Sequence, residues 1–239
     1  MTDKKNIIQA FTNMAPRYEK IVDSELQNFW GWSYRGVVDS LFEDISVNGK
    51  DIILDIATGT GVIPDRLLKN GIDGNRIHGL DITRAMLEHA QLRLNGGNGQ
   101  KPINLTCASA MEMPYANASF TIAVCGLATH HMSVEILLSE TCRILRRGGK
   151  LTIADAGGML YWKIPGIKLL LKIAAFIYFS ITDDPSRAWS EADAVSNVRS
   201  KEEWSSLLSK NGFEDISIVT LISKFSWISS PLIIKAEKR

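Results

Sequence analysis

The chain has 239 residues, 45% of them hydrophobic, enough to bury one substantial core. Lys and Arg number 27 against 26 for Asp and Glu, a formal net charge of +1, which argues against a basic nucleic-acid-binding face. The three cysteines, Cys107, Cys125 and Cys142, form no CxxC pair and have no histidine at zinc-ligand spacing, so free thiols of a cytoplasmic protein and no bound metal are expected.

The opening MTDKKNIIQAF has two lysines but no long apolar run behind them, the wrong make-up for a signal peptide. Residues 6–45 read as helical. Ile7, Ile8, Phe11 and Met14 share one stripe, Ile21, Val22, Leu26, Phe29 and Trp30 a second, and Pro16 separates them. Residues 33–42 read as a further helix on Val37, Val38, Leu41 and Phe42.

From Asp51 the pattern changes. DIILDIA reads as a buried strand, followed by a helix through Leu67 and Leu68 that closes near Gly71. RIHGLDIT, INLTCAS, FTIAVCG and KLTIADA read as four more strands. Between them lie the helices RAMLEHAQLRLN and SVEILLSETCRILR, the latter with Ser133 as N-cap and Gly148-Gly149 past its end. Apolar strand runs alternating with helices predict a doubly wound α/β fold, a mostly parallel sheet covered on both faces. SKEEWSSLLSKNGF then shows a capping box, Ser200 with Glu203, and EDISIVTLI and SPLIIKAEKR predict an antiparallel edge hairpin. The expected fold is a single domain, 1–239, with a seven-stranded sheet. It divides into an N-terminal helical lid (1–45), a cofactor-binding core (46–156), a helical cap over the acceptor site (157–199) and a C-terminal helix and strand hairpin (200–239).

Ligands of an open parallel sheet sit outside the carboxyl ends of its strands. Here the first strand delivers Asp55 and the loop Ala57-Thr58-Gly59-Thr60-Gly61, whose glycines let backbone approach a ligand. Asp81, twenty positions beyond Gly61, ends the second strand, where an acid can accept hydrogen bonds from ribose hydroxyls. A dinucleotide wants glycine where Pro64 stands, and Asp55 would repel a pyrophosphate but attract an ammonium. An adenosine joined to an amino acid fits better, and S-adenosylmethionine is that ligand.

Six stretches in order, FTNMAPRYEK, ILDIATGTG, GLDIT, ASAMEMPYANASF, LRRGGKLTI and NGFEDISI, resemble the class I S-adenosylmethionine-dependent methyltransferases. The nearest branch in this resemblance is the ubiquinone and menaquinone biosynthesis C-methyltransferases. The resemblance implies that Asp55 closes the methionine end, that Ala57, Thr58, Gly59, Thr60 and Gly61 surround methionine and ribose, and that Asp81 clamps the ribose with Ile82 beside the adenine. It puts Ser109, Ala110 and Met111 at the adenine, Ser109 standing where the family often has an acid. Tyr18 would close over the cofactor, and Cys125 counts among the cofactor-site residues. Thr121 departs from the common SFD.

GLATHHMS places His130 and His131 at the ligand edge, either able to deprotonate a phenol or enol, with His130 the better candidate and His131 the structural one. Asp155, ending the fifth strand, could orient a histidine or the acceptor. The quinone enzymes usually carry an Arg-Asn pair where this chain has Thr129-His130. Phe29, Trp30, Trp32 and Tyr34 read as core more than as an acceptor pocket. The apolar segment 164–182, with two lysines, reads as a lid over a lipophilic substrate rather than a membrane span; peripheral contact with a membrane surface is its second reading. The expected function is methyl transfer from S-adenosylmethionine to a small lipophilic acceptor, quinol- or phenol-like first. A secondary-metabolite O-, N- or C-methyltransferase and a non-catalytic S-adenosylmethionine-binding module are the alternatives.

Overall fold

The structure, a computed structural model, describes residues 4–43, 45–95, 102–158, 162, 164–183, 185–225 and 230–239. Seven strands form one sheet in the order β3-β2-β1-β4-β5-β7-β6. They are β1 (Ile53–Ile56), β2 (Ile77–Asp81), β3 (Asn104–Cys107), β4 (Phe120–Gly126), β5 (Leu145–Ala156), β6 (Phe213–Thr220) and β7 (Pro231–Lys238). β1 to β5 pair parallel, and β7 runs antiparallel to both of its neighbours. The predicted doubly wound sheet with its edge hairpin is what the chain forms.

β1 lies at the centre with all four residues buried, which is why it reads as an unbroken apolar run around one aspartate. One face of the sheet packs Leu54, Ile56, Phe120, Leu138, Trp204 and Phe213; the other packs Leu41, Ile53, Leu67, Ile77, Ile122 and Val124. Chain order reverses between β1 and β4, so a crevice opens at their carboxyl ends.

The helices are α1 (Lys4–Met14), α2 (Tyr18–Phe29), α3 (Tyr34–Ser40), α4 (Val62–Lys69), α5 (Arg84–Leu94), α6 (Val134–Ile144), α7 (Pro165–Thr182), α8 (Pro185–Ala194) and α9 (Lys201–Lys210). Pro16 sits in a single 3₁₀ turn that separates α1 from α2. At α9 the capping box is complete: Glu203 N–H donates to Ser200 Oγ, and Ser200 N–H donates to Glu203 Oε2.

Two local expectations need correction. Gly148-Gly149 does not follow α6 as a cap. α6 ends at Ile144, β5 begins at the next residue, and both glycines lie inside the irregular start of that strand. Ser133 occupies the N-cap position of α6 but its side chain makes no capping bond. The segment 164–182 forms α7 without a break, because Pro165 stands in the first turn, where a proline costs no helical hydrogen bond. α7 is long and apolar enough to cross a membrane by length and composition, and none of it is buried.

A buried cation ties the added helices together. Arg187 of α8 donates to Glu25 of α2 at 2.6 Å and to Asp183 at 2.9 Å, and Arg17 reaches the same Asp183. α8 is thereby fastened to the N-terminal helices above the crevice.

Candidate active site

Two acids end the neighbouring strands β1 and β2. Asp81 is buried, and each of its oxygens accepts one backbone N–H: Oδ2 from Gly59 at 2.9 Å and Oδ1 from Thr83 at 2.8 Å. The Thr83 hydroxyl and the Ile82 N–H also bond to this carboxylate, and together these bonds oppose the upward push of burial on its pKa. Asp55 is fully buried; its Oδ2 accepts from Thr58 Oγ1 at 2.6 Å, and its Oδ1 has no partner. Burial pushes the Asp55 carboxyl up to about 8, the Thr58 bond opposes this, and Asp81 adds to it.

The glycines between these acids do different work. Gly59 has φ +54°, and a Cβ there would meet only Tyr18 Cε1, at 3.9 Å, so its missing side chain leaves room on the crevice side. Gly61 has φ +80°, and a Cβ would come within 3.1 Å of Ala90 and 3.2 Å of Leu94. Gly61 therefore serves the packing of α4 on α5 rather than a ligand. Tyr18 opens α2 and is held over the loop by its neighbour Glu19, which accepts from Thr60 Oγ1 at 2.9 Å and is paired with Arg93. Its ring meets Tyr34 edge-on at 6.2 Å, and burial raises the Tyr18 phenol well above its ordinary value.

The segment carrying Ser109 is shaped by Arg143 of α6, which donates to the carbonyls of Met113 and Tyr115 and to Glu140, while Met113 N–H donates to Glu140. Ser109 Oγ accepts from Met111 N–H at 3.2 Å, closing the turn that sets Ala110 and Met111 beside Ile82 in the wall of the crevice.

These pieces bound one cleft of about 640 Å³. Tyr18, Ala57, Gly59, Asp81, Ile82, Ser109, Ala110 and Met111 line one end of it. At the other end, Ile7 and Phe11 of α1, Leu127, Ala128, His131, Met132 and Ile136 meet Lys172 of α7 and Ser196, Asn197 and Arg199 beyond α8. Thr58, Thr60, Gly61 and Cys125 do not reach the wall. Thr58 faces Asp55, Thr60 faces Glu19, and Cys125 is fully buried in the core on β4. Three members of the aromatic cluster behave as core, since Trp30, Trp32 and Tyr34 pack on one face of the sheet and Trp32 Nε1 donates to the Ile222 carbonyl, whereas Phe29 meets Tyr178 of α7 edge-on at 5.4 Å.

The two histidines divide their work opposite to the sequence expectation. They lie in a single 3₁₀ turn, Thr129–His131, after β4. His131 lines the cleft, whereas His130 stands behind it with Nδ1 2.5 Å from Asp155 Oδ1. Asp155 also accepts from Thr129 Oγ1, so it fastens the whole turn. Burial works to lower the His130 pKa, but the Asp155 carboxylate outweighs it and lifts the ring to about 9. His131 goes the other way, held well below the ordinary imidazole range by burial and by His130 beside it. His130, His131 and Glu191 place three potential metal-ligand atoms within 4.8 Å. Two of them are otherwise engaged, His130 with Asp155 and Glu191 with Arg187 at 3.5 Å.

Sequence reasoning missed Asn197 and Arg199, which sit in a non-periodic stretch and reach the cleft because Arg199 bridges Gly157 after β5.

The residues at the strand ends fit S-adenosylmethionine. Asp55 keeps one oxygen without a partner just behind the loop, the Gly59 gap leaves room for a ligand against backbone, and Asp81 stands in the cleft wall. Comparison with known proteins agrees. A methyltransferase domain family matches residues 54–153. The demethylmenaquinone methyltransferase of Lactobacillus johnsonii is 29% identical over 91% of this chain and 88% of its own length. The ubiquinone/menaquinone biosynthesis C-methyltransferase UbiE of Dinoroseobacter shibae is 24% identical over 90% and 85%. Among solved structures, YcgJ from Bacillus subtilis superposes with a TM-score of 0.65 at 18% identity, over 86% of this chain and 99% of that one. The geranyl diphosphate C-methyltransferase of Streptomyces coelicolor gives 0.67 at 15% identity, over 93% and 84%. Those structural likenesses establish the fold.

Two outcomes follow. At pH 7 the Asp55 carboxyl, with a pKa of about 8, holds a proton that an arriving ammonium displaces. Calorimetric titration of S-adenosylhomocysteine in two buffers of different ionisation enthalpy therefore shows release of about one proton at pH 7, and none in Asp55→Asn. Equal heats in both buffers with the native chain would place the ammonium elsewhere. The second outcome concerns His130, whose folded pKa of about 9 lies above the unfolded value. Its pairing contributes stability in full below about pH 6.5 that is lost as pH rises through 9. Urea denaturation across pH 6–10 shows this decline. Asp155→Asn flattens it and costs about 3–5 kcal/mol at pH 7, as expected when one member of a buried pair is removed.

Proposed function

We propose that this chain, a class I S-adenosylmethionine-dependent methyltransferase, methylates a small lipophilic acceptor of the quinol or phenol class. The observation that carries the acceptor reading is the continuity of the cleft. The Asp81 end and a chamber whose apolar wall is made by Ile7, Phe11, Leu127, Ala128, Met132 and Ile136 are one space. The resemblance of the whole chain to demethylmenaquinone methyltransferase supports the same class.

When bound, S-adenosylmethionine supplies an electrophilic methyl group on a sulfonium. Asp81 holds the ribose, Asp55 the amino group, and Ile82, Ala110 and Met111 the adenine. Tyr18 and the N-terminal helices cover the loop and exclude water, so the protein's share of catalysis is alignment in a dry cleft. At the acceptor, His131 is neutral at physiological pH and offers a hydrogen bond to the acceptor hydroxyl. His130 and Asp155 act through the turn and set the His131 ring in place.

The outer face of α7 belongs to the same reading. Leu169, Leu170, Ile173, Ile177 and Ile181 are all exposed, Leu170 by 67% and Ile181 by 79%, and α7 carries no acidic residue. Its lysines face inward: Lys168 lines a neighbouring cavity, and Lys172 pairs with Asp193 at 3.2 Å. A helix that binds protein on one side and offers a mostly apolar, uncharged face on the other, broken by Ser180 and Thr182 near its end, suits a position in the plane of a lipid surface.

Transfer of labelled methyl to reduced naphthoquinol with a short prenyl chain should exceed transfer to polar phenols. His131→Ala should lower kcat by about a hundredfold with S-adenosylhomocysteine affinity unchanged. Full activity in that variant removes His131 from the acceptor, and failure of every quinol tried removes the acceptor class. Co-sedimentation with anionic phospholipid vesicles checks the face of α7. The native chain should pellet with vesicles and Leu170→Glu/Ile177→Glu should stay in solution, both binding S-adenosylhomocysteine equally; a native chain that stays in solution denies the lipid contact.

A further inference from the structure

One charge at the acceptor end of the cleft has no counter-charge. Lys172 is matched by Asp193, and His131 is neutral. Arg199 is half-buried and lines the cleft, yet no carboxylate lies within ion-pair distance of its guanidinium among the described residues. Glu135 of α6, Asp155 of β5 and Glu203 of α9 act on it only from farther off. Its one bond is donation from Nη1 to the Asn197 carbonyl at 2.6 Å. A guanidinium keeps its charge at any physiological pH, and burying it without an anion is costly.

The mount of this side chain is rigid. Gly158 N–H donates to the Arg199 carbonyl at 2.8 Å, and Gly157 and Arg199 form a parallel bridge, so its backbone is fixed to the end of β5. Asn197 Nδ2 donates to the His130 carbonyl at 2.9 Å, which joins the same stretch to the turn after β4. Next to it the Ser196 hydroxyl is buried without a partner. The same end of the cleft has the apolar residues Leu127, Ala128, Met132 and Ile136, and its Asp193 carboxylate is paired with Lys172 at 3.2 Å; beside the apolar residues a charge–charge contact is stronger than in water.

We propose that Arg199 is the anion-binding residue of the acceptor site and that Asn197 positions it, so that the acceptor lies in the cleft with a negatively charged oxygen against the guanidinium. The inference rests on the acceptor reading above, but its test needs no turnover. The oxygen has two chemical sources. In a phenol or quinol, the hydroxyl proton leaves to solvent and the oxygen keeps the pair, an ionisation that a fixed cation favours. In an aromatic acid, the carboxylate is charged on arrival.

The test uses the protein saturated with S-adenosylhomocysteine and four flat probes: a nitronaphthol whose ionisation is read by visible absorbance, its methyl ether, 2-naphthoate, and the methyl ester of 2-naphthoate. With the native chain, the bound nitronaphthol should ionise at least one pH unit lower than when free, or 2-naphthoate should bind at least about tenfold more tightly than its ester. The first result assigns the phenolate source and the second the carboxylate, and either supports the anion site. Arg199→Met should abolish the effect while binding S-adenosylhomocysteine and the methyl ether as the native chain does; Arg199→Lys should restore part of it. The proposal is overturned if the native chain prefers neither anion, or if the preference survives in Arg199→Met. Failure of naphthoquinol methylation alone would remove the quinol reading and leave this result standing.

Discussion

The hydrogen bond from Gly59 N–H to the Asp81 carboxylate is the contact on which the cleft depends. It joins the loop after β1 to the end of β2 across the crevice. The acid that is to receive a ligand is thereby also the acid that shapes the backbone beside it. Thr83 N–H takes the other oxygen and starts α5 from the same point. The price of this arrangement is a buried carboxylate whose pKa burial raises, partly offset by those backbone bonds. Asp55, one strand away, has far less help, since Thr58 satisfies only one of its oxygens. The strand ends thus hold one acid stabilised in place and one left short of a partner, which suits a ligand with hydroxyls at one end and an ammonium at the other.

Charge organises the far half of the molecule by a different route. Arg187 gathers Glu25, Asp183 and Glu191 at one buried point, so the N-terminal helices and α8 share a single fastening. Glu191 is then engaged when it faces His131 at 4.0 Å. Asp155 plays the corresponding role beneath the histidines, where it raises His130 and fastens Thr129. Two charged centres, each compensated internally, flank the chamber, and Arg199 between them is the group left over.

The parallel sheet was legible because strands buried on both sides are apolar along most of their length, as β1 is apart from Asp55 and β4 apart from Thr121. Asp55, Gly59 and Asp81 were legible because backbone approach and ribose recognition need those residue types at strand ends. Gly61 was also found, but its spacing could not say that its work is to admit Ala90 rather than a ligand. The start of β5 was hidden because α6 passes into the strand with no intervening turn to mark the change.

The histidines show a harder limit. His130 and His131 are adjacent, and in a tight turn adjacent side chains leave in different directions, so which ring meets the cleft is decided by the turn's anchor. That anchor is Asp155, on another strand and twenty-five residues away. The same holds for Arg199, whose place follows from a backbone bridge to Gly157 more than forty residues earlier. The loop after β4 presents imidazole to the chamber through His131. In this fold an arginine and an asparagine reach the chamber from the segment beyond α8, and Asn197 is bonded to that very loop through the His130 carbonyl. Position along the chain and position in the cleft are therefore separable. Arg199 and Asn197 reach the chamber wall although no local motif announces them.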